Sequence, residues 1–232
     1  SKIVQALNYQ EGIYRPIVFG GVHATFRPEE ALSEGDYVFR GEADTTFVPF
    51  LNALNGDGTI EEIAGLTYRS EGAIIHNPLS EERPHMNDIP TPDWSLFEDH
   101  SLPVSIAMTS RGCPYDCSFC SVTPMFGRDY RMRSIDNVME DLRGASKEFV
   151  FFYDDHFTAN KKRTKELLRR IIDEYGKTHR VKHFSAQVRS DIAKDPELLD
   201  LMEKAGFNTL FIGFESTNPE TLELYNKKQT VD

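Results

Sequence analysis

The sequence predicts an α/β protein built as two domains on either side of a connector. Three observations lead there. Short apolar runs alternate with helix signals along most of the chain, the pattern of a parallel sheet covered by helices. Strand–helix repeats follow one another after Val104, which suits an open parallel sheet or a barrel. Between the alternating regions, residues 77–103 lose all periodicity and carry Pro78, Pro84, Pro90, Pro92 and Pro103, so this stretch reads as an ordered linker. The expected organisation is a first domain over 1–76, a connector over 77–103 and a second domain over 104–232.

In the first domain, Arg15 to Gly21 reads as a short buried strand running into a Gly-Gly turn. Pro28 to Leu32 is a brief helix, with proline at its first position and Gly35 beyond its end. Tyr37-Val38-Phe39 is a second strand, followed by Gly41-Glu42, and Thr45 to Leu54 is a helix stopped near Gly56. Leu66–Arg69 and Ala73–His76 flank Ser70-Glu71-Gly72 as a hairpin.

In the second domain, Val104 to Met108 is a strand. Ser134 caps a helix running to about Ser146, and Glu148 to Tyr153 is the next strand, ending in Asp154-Asp155. Leu167, Leu168, Ile171, Ile172 and Tyr175 share one face of a helix over about 160–175. His183 to Val188 is a third strand. Asp195-Pro196-Glu197 opens a helix with cap, proline and early acid in order, and Gly206 closes it. Thr209 to Phe214 is the fourth strand, and Asn218-Pro219 starts a further helix. In such folds functional side chains gather beyond the carboxyl ends of the strands.

Composition narrows the function. The chain of 232 residues is 39% hydrophobic and carries a net charge of −11, which argues against general nucleic-acid binding, because that needs basic surface to displace counterions. Arg128, Arg131 and Arg133 are a local exception, and Arg128, Tyr130 and Arg131 are candidates for meeting an anionic group. No window approaches the ~18 apolar residues of a membrane span, and Ser1 to Gly12 lacks the apolar core of a signal peptide. The 3 cysteines, all between 113 and 120, form no disulfide framework, so a reducing cytoplasm is the expected compartment.

Those cysteines carry the chemistry. Their spacing is Cys113-x-x-x-Cys117-x-x-Cys120. Structural zinc prefers four ligands in paired spacings, and no histidine lies within ten residues to complete a set. A four-iron cluster is held by thiolates, and three of them leave one iron open. Three buried cysteines without a ligand are the plain alternative.

CxxxCxxC with an aromatic, Phe119, before the last cysteine resembles the radical S-adenosylmethionine (radical SAM) superfamily. The resemblance implies a [4Fe–4S] cluster on Cys113, Cys117 and Cys120, with S-adenosylmethionine chelating the open iron and being cleaved reductively to methionine and a 5′-deoxyadenosyl radical. It further implies that Asp154 and Asp155 meet the methionyl amino group and that Gln187 and Arg189 lie at the carboxylate. Glu215 and Ser216, in Gly213-Phe214-Glu215-Ser216, take the ribose, and Phe119 contacts adenine. A helix-capping acid pair, a surface arginine, a surface glutamate and a core aromatic are the corresponding alternatives.

The strings IVFGGVHATFRPEEAL, DYVFRGEADTTF, IAGLTYRSEGAIIHNP and IPTPDWSLF resemble a cobalamin-binding domain and its connector to such a barrel. The implied fold is the C-terminal half of a Rossmann-like cobalamin-binding domain followed by the first four strands of a (β/α)6 TIM-like barrel, so the chain is expected to be a fragment. In this class Gly20 and Gly21 let the backbone approach cobalamin, and the Gly41-Glu42 loop lies nearby. His23 is read as a loop histidine, not an axial ligand. The implied function is a radical SAM enzyme acting on an unreactive carbon of a small molecule, by cobalamin-assisted methyl transfer or a related reaction. Its electron donor would be a flavodoxin or ferredoxin. The rival readings are a radical SAM methylthiotransferase, which would carry a second cysteine set, and a non-catalytic iron–sulfur electron-transfer module.

Overall fold

A computed structural model describes residues 12, 14–93, 103–175 and 181–231. The reading of Ser1 to Glu11 and the Trp94-to-Phe97 part of the connector string lie outside the described residues. The chain divides into two compact units, Ser1–Pro84 and His85–Asp232.

The first unit runs β1 (Val18–Phe19), α1 (Gly21–Phe26), α2 (Pro28–Leu32), β2 (Tyr37–Phe39), α3 (Phe47–Leu54), β3 (Leu66–Ser70) and β4 (Ala73–His76). Its sheet has the order β1-β2-β3-β4. β1 and β2 are parallel, and β3 and β4 continue the sheet antiparallel. Phe39, Phe50, Ile63, Leu66 and Tyr68 close one small core, with Phe39 and Phe50 edge to face at 5.2 Å. Pro49 sits in the first turn of α3, where its missing N–H costs no helical bond. Asn77 fixes the end of the hairpin by donating to the carbonyls of Ile60 and Ile63 at 2.8 and 2.9 Å.

The second unit is built on a fully parallel sheet of order β10-β9-β8-β5, with β5 at Val104–Ala107, β8 at Phe149–Phe152, β9 at His183–Val188 and β10 at Phe207–Ile212. Each strand of this sheet pairs with the sheet's next strand in sequence, the common outcome of short strand–helix–strand connections. Between β5 and β8 lie β6 (Ser110–Arg111), α4 (Val122–Phe126), β7 (Arg131–Met132) and α5 (Ile135–Gly144). α6 (Lys161–Tyr175), α7 (Pro196–Ala205) and α8 (Pro219–Leu224) complete the unit.

Three helices of this unit, α5, α7 and α8, start where the sequence places caps. Ser134 accepts from Asn137 N, Asp195 from Leu198 N, and Asn218 from Glu220 N and Thr221 N. Gly206 ends α7 at φ +95°, and a Cβ there would stand 2.9 Å from the Lys182 carbonyl. α6 buries Thr164, Leu167, Leu168, Ile171 and Tyr175, one face at helical spacing. Each fully buried leucine or isoleucine there contributes about 1.5–3 kcal/mol. Phe152, Phe184 and Phe207 stack at 5.3–5.7 Å beneath them.

Four details depart from expectation. β1 covers only two half-buried residues, and a helix, not an open turn, begins at Gly21. Gly20 supplies its extended cap, φ −154°, without a side chain, so the sequence carries no cap signal. The fourth parallel strand starts at Phe207, not Thr209, because the left-handed turn at Gly206 delivers the chain directly to Phe184. The β6–β7 ladder went unseen: strands of two residues show no period. Among the described residues no helix is long and apolar enough to cross a membrane.

Candidate active site

The cysteines lie on a loop with a closed base. β6 and β7 pair antiparallel, Ser110 with Met132 and Arg111 with Arg131, and Arg133 N donates to Thr109 O at 2.9 Å. Gly112 enters the loop at φ +89°, and a Cβ there would stand 2.6 Å from the Asp129 carbonyl. Only glycine fits that approach without displacing backbone. Inside the loop, Cys120 N donates to Cys117 O at 3.0 Å, and Thr123 Oγ1 donates to Tyr115 O at 2.7 Å.

Cys113, Cys117 and Cys120 are free and half-buried. All three line one cavity of about 480 Å³, together with Phe119, Asp155, Gln187, Arg189 and Glu215. The ends of β8, β9 and β10 thus deliver their polar residues to the cysteine loop. Tyr115, His156 and Lys227 also line the cavity, and the sequence reading missed them.

The adjacent acids have opposite surroundings. Asp154 is 1% exposed and does not line the cavity. Its carboxylate accepts from Thr109 N at 3.0 Å, from Thr109 Oγ1 at 2.7 Å and from Ser110 Oγ. Burial pushes its pKa up, against the downward pull of those donors. Asp155 faces the cavity and accepts from Gly112 N at 3.3 Å. Its pKa is also raised by burial, with the Gly112 bond opposing.

Arg189 is buried. Its guanidinium lies 3.9 Å from the centroid of the Tyr115 ring and donates to the carbonyls of Lys227 and Lys228. Gln187 Nε2 donates to Asp154 O at 3.3 Å. Glu215 sits at φ +62° and pairs with Lys227 Nζ at 2.9 Å. A Cβ on Gly213 would stand 2.5 Å from the Glu215 carboxylate, so the glycine makes room for that pair. Ser216 lies apart, on a second cavity of about 460 Å³ with Phe214 and Lys228. Phe119 is half exposed and meets Tyr225 edge to face at 5.2 Å.

His156 is buried, and its Nδ1 has no hydrogen-bond partner. Burial, helped by the Arg189 charge, brings its pKa down to about 4, so the ring is neutral at pH 7. Of the basic-turn residues, Tyr130 points inward, with its hydroxyl donating to His156 O at 3.2 Å. Arg128 stays exposed beside Asp116 at 3.9 Å. Arg133 is buried against Asp141.

Burial raises the Cys113 pKa, and the nearby Cys120, Asp155 and Cys117 add to this, while a backbone bond from Tyr115 opposes it. A thiol held protonated in that way needs a cation to become a thiolate. Among the described residues no group of three or more His, Cys, Asp or Glu side chains is gathered as ligands of a single ion. An iron–sulfur cluster does not require that, because its thiolates bind different irons. Three free thiols around one cavity fit such a cluster in chemistry and in number.

In the first unit, Gly20-Gly21 and Gly41-Glu42 follow the parallel strands β1 and β2. Thr25 links the two turns: its Oγ1 donates to Gly21 O at 2.8 Å and accepts from Gly41 N at 3.0 Å. Gly21 adopts φ +86°, and nothing lies within 4 Å of where its Cβ would project. The backbone of Gly20 and Gly21 is exposed at this edge. His23 is exposed, 3.5 Å from Glu30.

The chain is 32% identical over 98% of its length to an uncharacterized methyltransferase of Pyrococcus horikoshii, of which it covers 51%. It is 30% identical over 92% of its length to the anaerobic magnesium-protoporphyrin IX monomethyl ester cyclase of Cereibacter sphaeroides, of which it covers 37%. The chain therefore spans roughly a third to a half of these curated relatives. Among solved structures, the radical S-adenosylmethionine methyltransferase TsrM from Kitasatospora setae matches 99% of the chain at a TM-score of 0.74 and 18% identity, with 47% of that protein covered. The cobalamin-dependent S-adenosylmethionine radical enzyme OxsB, solved with aqua-cobalamin, matches 99% at 0.76 and 23% identity, with 35% covered. These two share the fold. The family model of the radical SAM superfamily matches residues 108–232, from the end of β5 through the cysteine loop and the three following strand ends, and the chain belongs to that superfamily.

Proposed function

We propose that this chain is the cofactor-bearing part of a cobalamin-dependent type of radical SAM enzyme that modifies an unreactive carbon of a small molecule. One observation carries the reading: three free thiols and the polar ends of three parallel strands face a single cavity. Cys113, Cys117 and Cys120 would hold a [4Fe–4S] cluster. When bound, that cluster supplies the electron for cleaving S-adenosylmethionine to methionine and a 5′-deoxyadenosyl radical. Asp155 receives the ligand's ammonium group, with Gln187 beside it. Glu215 accepts from ribose hydroxyls and Phe119 stands at the base. Asp154 positions Thr109 and Ser110 at the start of the loop. Arg189 lends positive charge to the carboxylate end while holding the cavity wall. Ser216, on its own cavity, takes no part in this arrangement.

Gly20 and Gly21 would face cobalamin, which supplies a methyl donor to the reaction. Support comes from the relatives named as methyltransferase and cyclase. The electron donor would be a flavodoxin or ferredoxin, the compartment cytoplasmic and nucleic acid no partner, in keeping with a net charge of −11. The test is anaerobic incubation of the reconstituted, reduced protein with S-adenosylmethionine, followed by mass spectrometry. Methionine and 5′-deoxyadenosine in equal amounts are expected, and neither from Cys117→Ala. A fully loaded protein that leaves the ligand intact contradicts the reading.

A further inference from the structure

The cysteine loop is held from a second direction, by residues more than 100 positions later in the chain. After α8 the backbone turns over the loop. Ser118 N donates to Tyr225 O at 2.9 Å, and Ser118 Oγ donates to Leu224 O at 3.3 Å. Asn226 Nδ2 donates to Asp116 O at 2.7 Å. The Tyr225 ring meets Phe119 edge to face at 5.2 Å, and Lys227 Nζ stands 5.7 Å from the centroid of the same Phe119 ring. Every one of these contacts falls between Cys113 and Cys120.

The segment is itself pinned. Arg189 donates to the carbonyls of Lys227 and Lys228 while its other face covers Tyr115. Lys227 pairs with Glu215 at 2.9 Å. Asn226 and Lys228 adopt φ +50° and +53°, a conformation that asparagine tolerates and lysine seldom takes. Such backbone persists only where its surroundings over-determine it. The ladder at the loop base fixes residues 110–111 and 131–132, and this contact fixes the middle.

We propose that residues 224–228 are a strap that presets the cysteine loop, with Asn226 and Tyr225 as positioning residues. The strap sets the spacing of Cys117 and Cys120 before any metal arrives. Its relevance to catalysis rests on the radical SAM reading above; its existence as a strap does not.

The test uses the metal-free 232-residue chain under anaerobic, reducing conditions. Two variants remove the Asn226 amide donor: Asn226→Gly keeps the left-handed backbone, and Asn226→Asp keeps the shape. Hydrogen exchange of the peptide spanning Ser118 and iodoacetamide alkylation of each thiol are followed by mass spectrometry. About tenfold faster exchange, and alkylation of Cys117 and Cys120 faster by a similar factor, are expected in both variants, with the global urea midpoint unchanged. After reconstitution, the reduced cluster in the variants should show a broadened resonance spectrum. Exchange and alkylation at wild-type rates in both variants and in Tyr225→Leu overturn the strap. So does a loss confined to the global midpoint. A strap that behaves as expected in a protein that assembles no cluster sinks the radical reading alone.

Discussion

In the second unit the ends of the parallel strands are crowded with buried polar groups that hold one another. In the first unit the corresponding ends carry glycines joined through Thr25, with Arg40 tied back to Asn77 O and Glu42 to Arg83. The second arrangement is preorganised: Asp154, Arg189 and the Glu215–Lys227 pair have their directions fixed before a ligand enters. That suits a small zwitterion oriented within a few tenths of an ångström. At Gly20 and Gly21 the first arrangement presents exposed backbone. A change at a strand end should therefore be costly in the second unit and mild at the Gly21–Thr25 edge of the first.

The largest expected contrast is Asp154→Ala against Thr25→Ala. Removing the Asp154 carboxylate leaves Thr109 N, Thr109 Oγ1 and Ser110 Oγ without their acceptor in a dry site, at a cost of about 3 kcal/mol. Thr25→Ala removes one link at a more open edge and should cost about 0.5–1 kcal/mol. Urea unfolding of the two variants measures both; equal losses would erase the distinction between the units.

Gly112 and Gly21 sharpen it. Their φ angles are nearly the same, +89° and +86°, but a Cβ on Gly112 meets the Asp129 carbonyl at 2.6 Å while one on Gly21 meets nothing. Gly21→Ala should cost about 1 kcal/mol for backbone strain alone. Gly112→Ala should cost about 2 kcal/mol more, through the clash, and should slow cluster assembly. Matching unfolding midpoints would show that the loop base yields.

The smallest effect is pH dependence in the metal-free chain. His156 titrates at about 4 when folded and near 6.5 when unfolded. Between those values the unfolded state binds the extra proton, so stability falls as pH is lowered through that window. Between pH 7 and 5.5 the loss should be about 1 kcal/mol. His156→Gln should remove that slope; an unchanged slope would show that the ring takes up its proton without unfolding.

Much of the second unit was legible because its signals are local. Ser134, Asp195 and Asn218 announce helices by capping chemistry, and α6 announces its buried face by spacing. The cysteine spacing was local too, and it led directly to the cavity. What stayed hidden is non-local. No spacing rule joins Asn226 to Asp116 or Lys227 to Glu215 across folded chain. Asp154 and Asp155 are equivalent in sequence, and only the direction each takes at the end of β8 separates the support from the cavity wall. The helix at Gly21 was hidden for another reason: its cap is backbone conformation alone.

The central claim is that the cavity between the cysteine loop and the strand ends binds a cluster with one open iron. Electron paramagnetic resonance of the anaerobically reconstituted, dithionite-reduced protein, with and without S-adenosylmethionine, tests it most directly. The account predicts a [4Fe–4S]+ signal whose g values shift when the ligand is added. A cluster signal indifferent to the ligand, or stoichiometric zinc in place of iron, would contradict it.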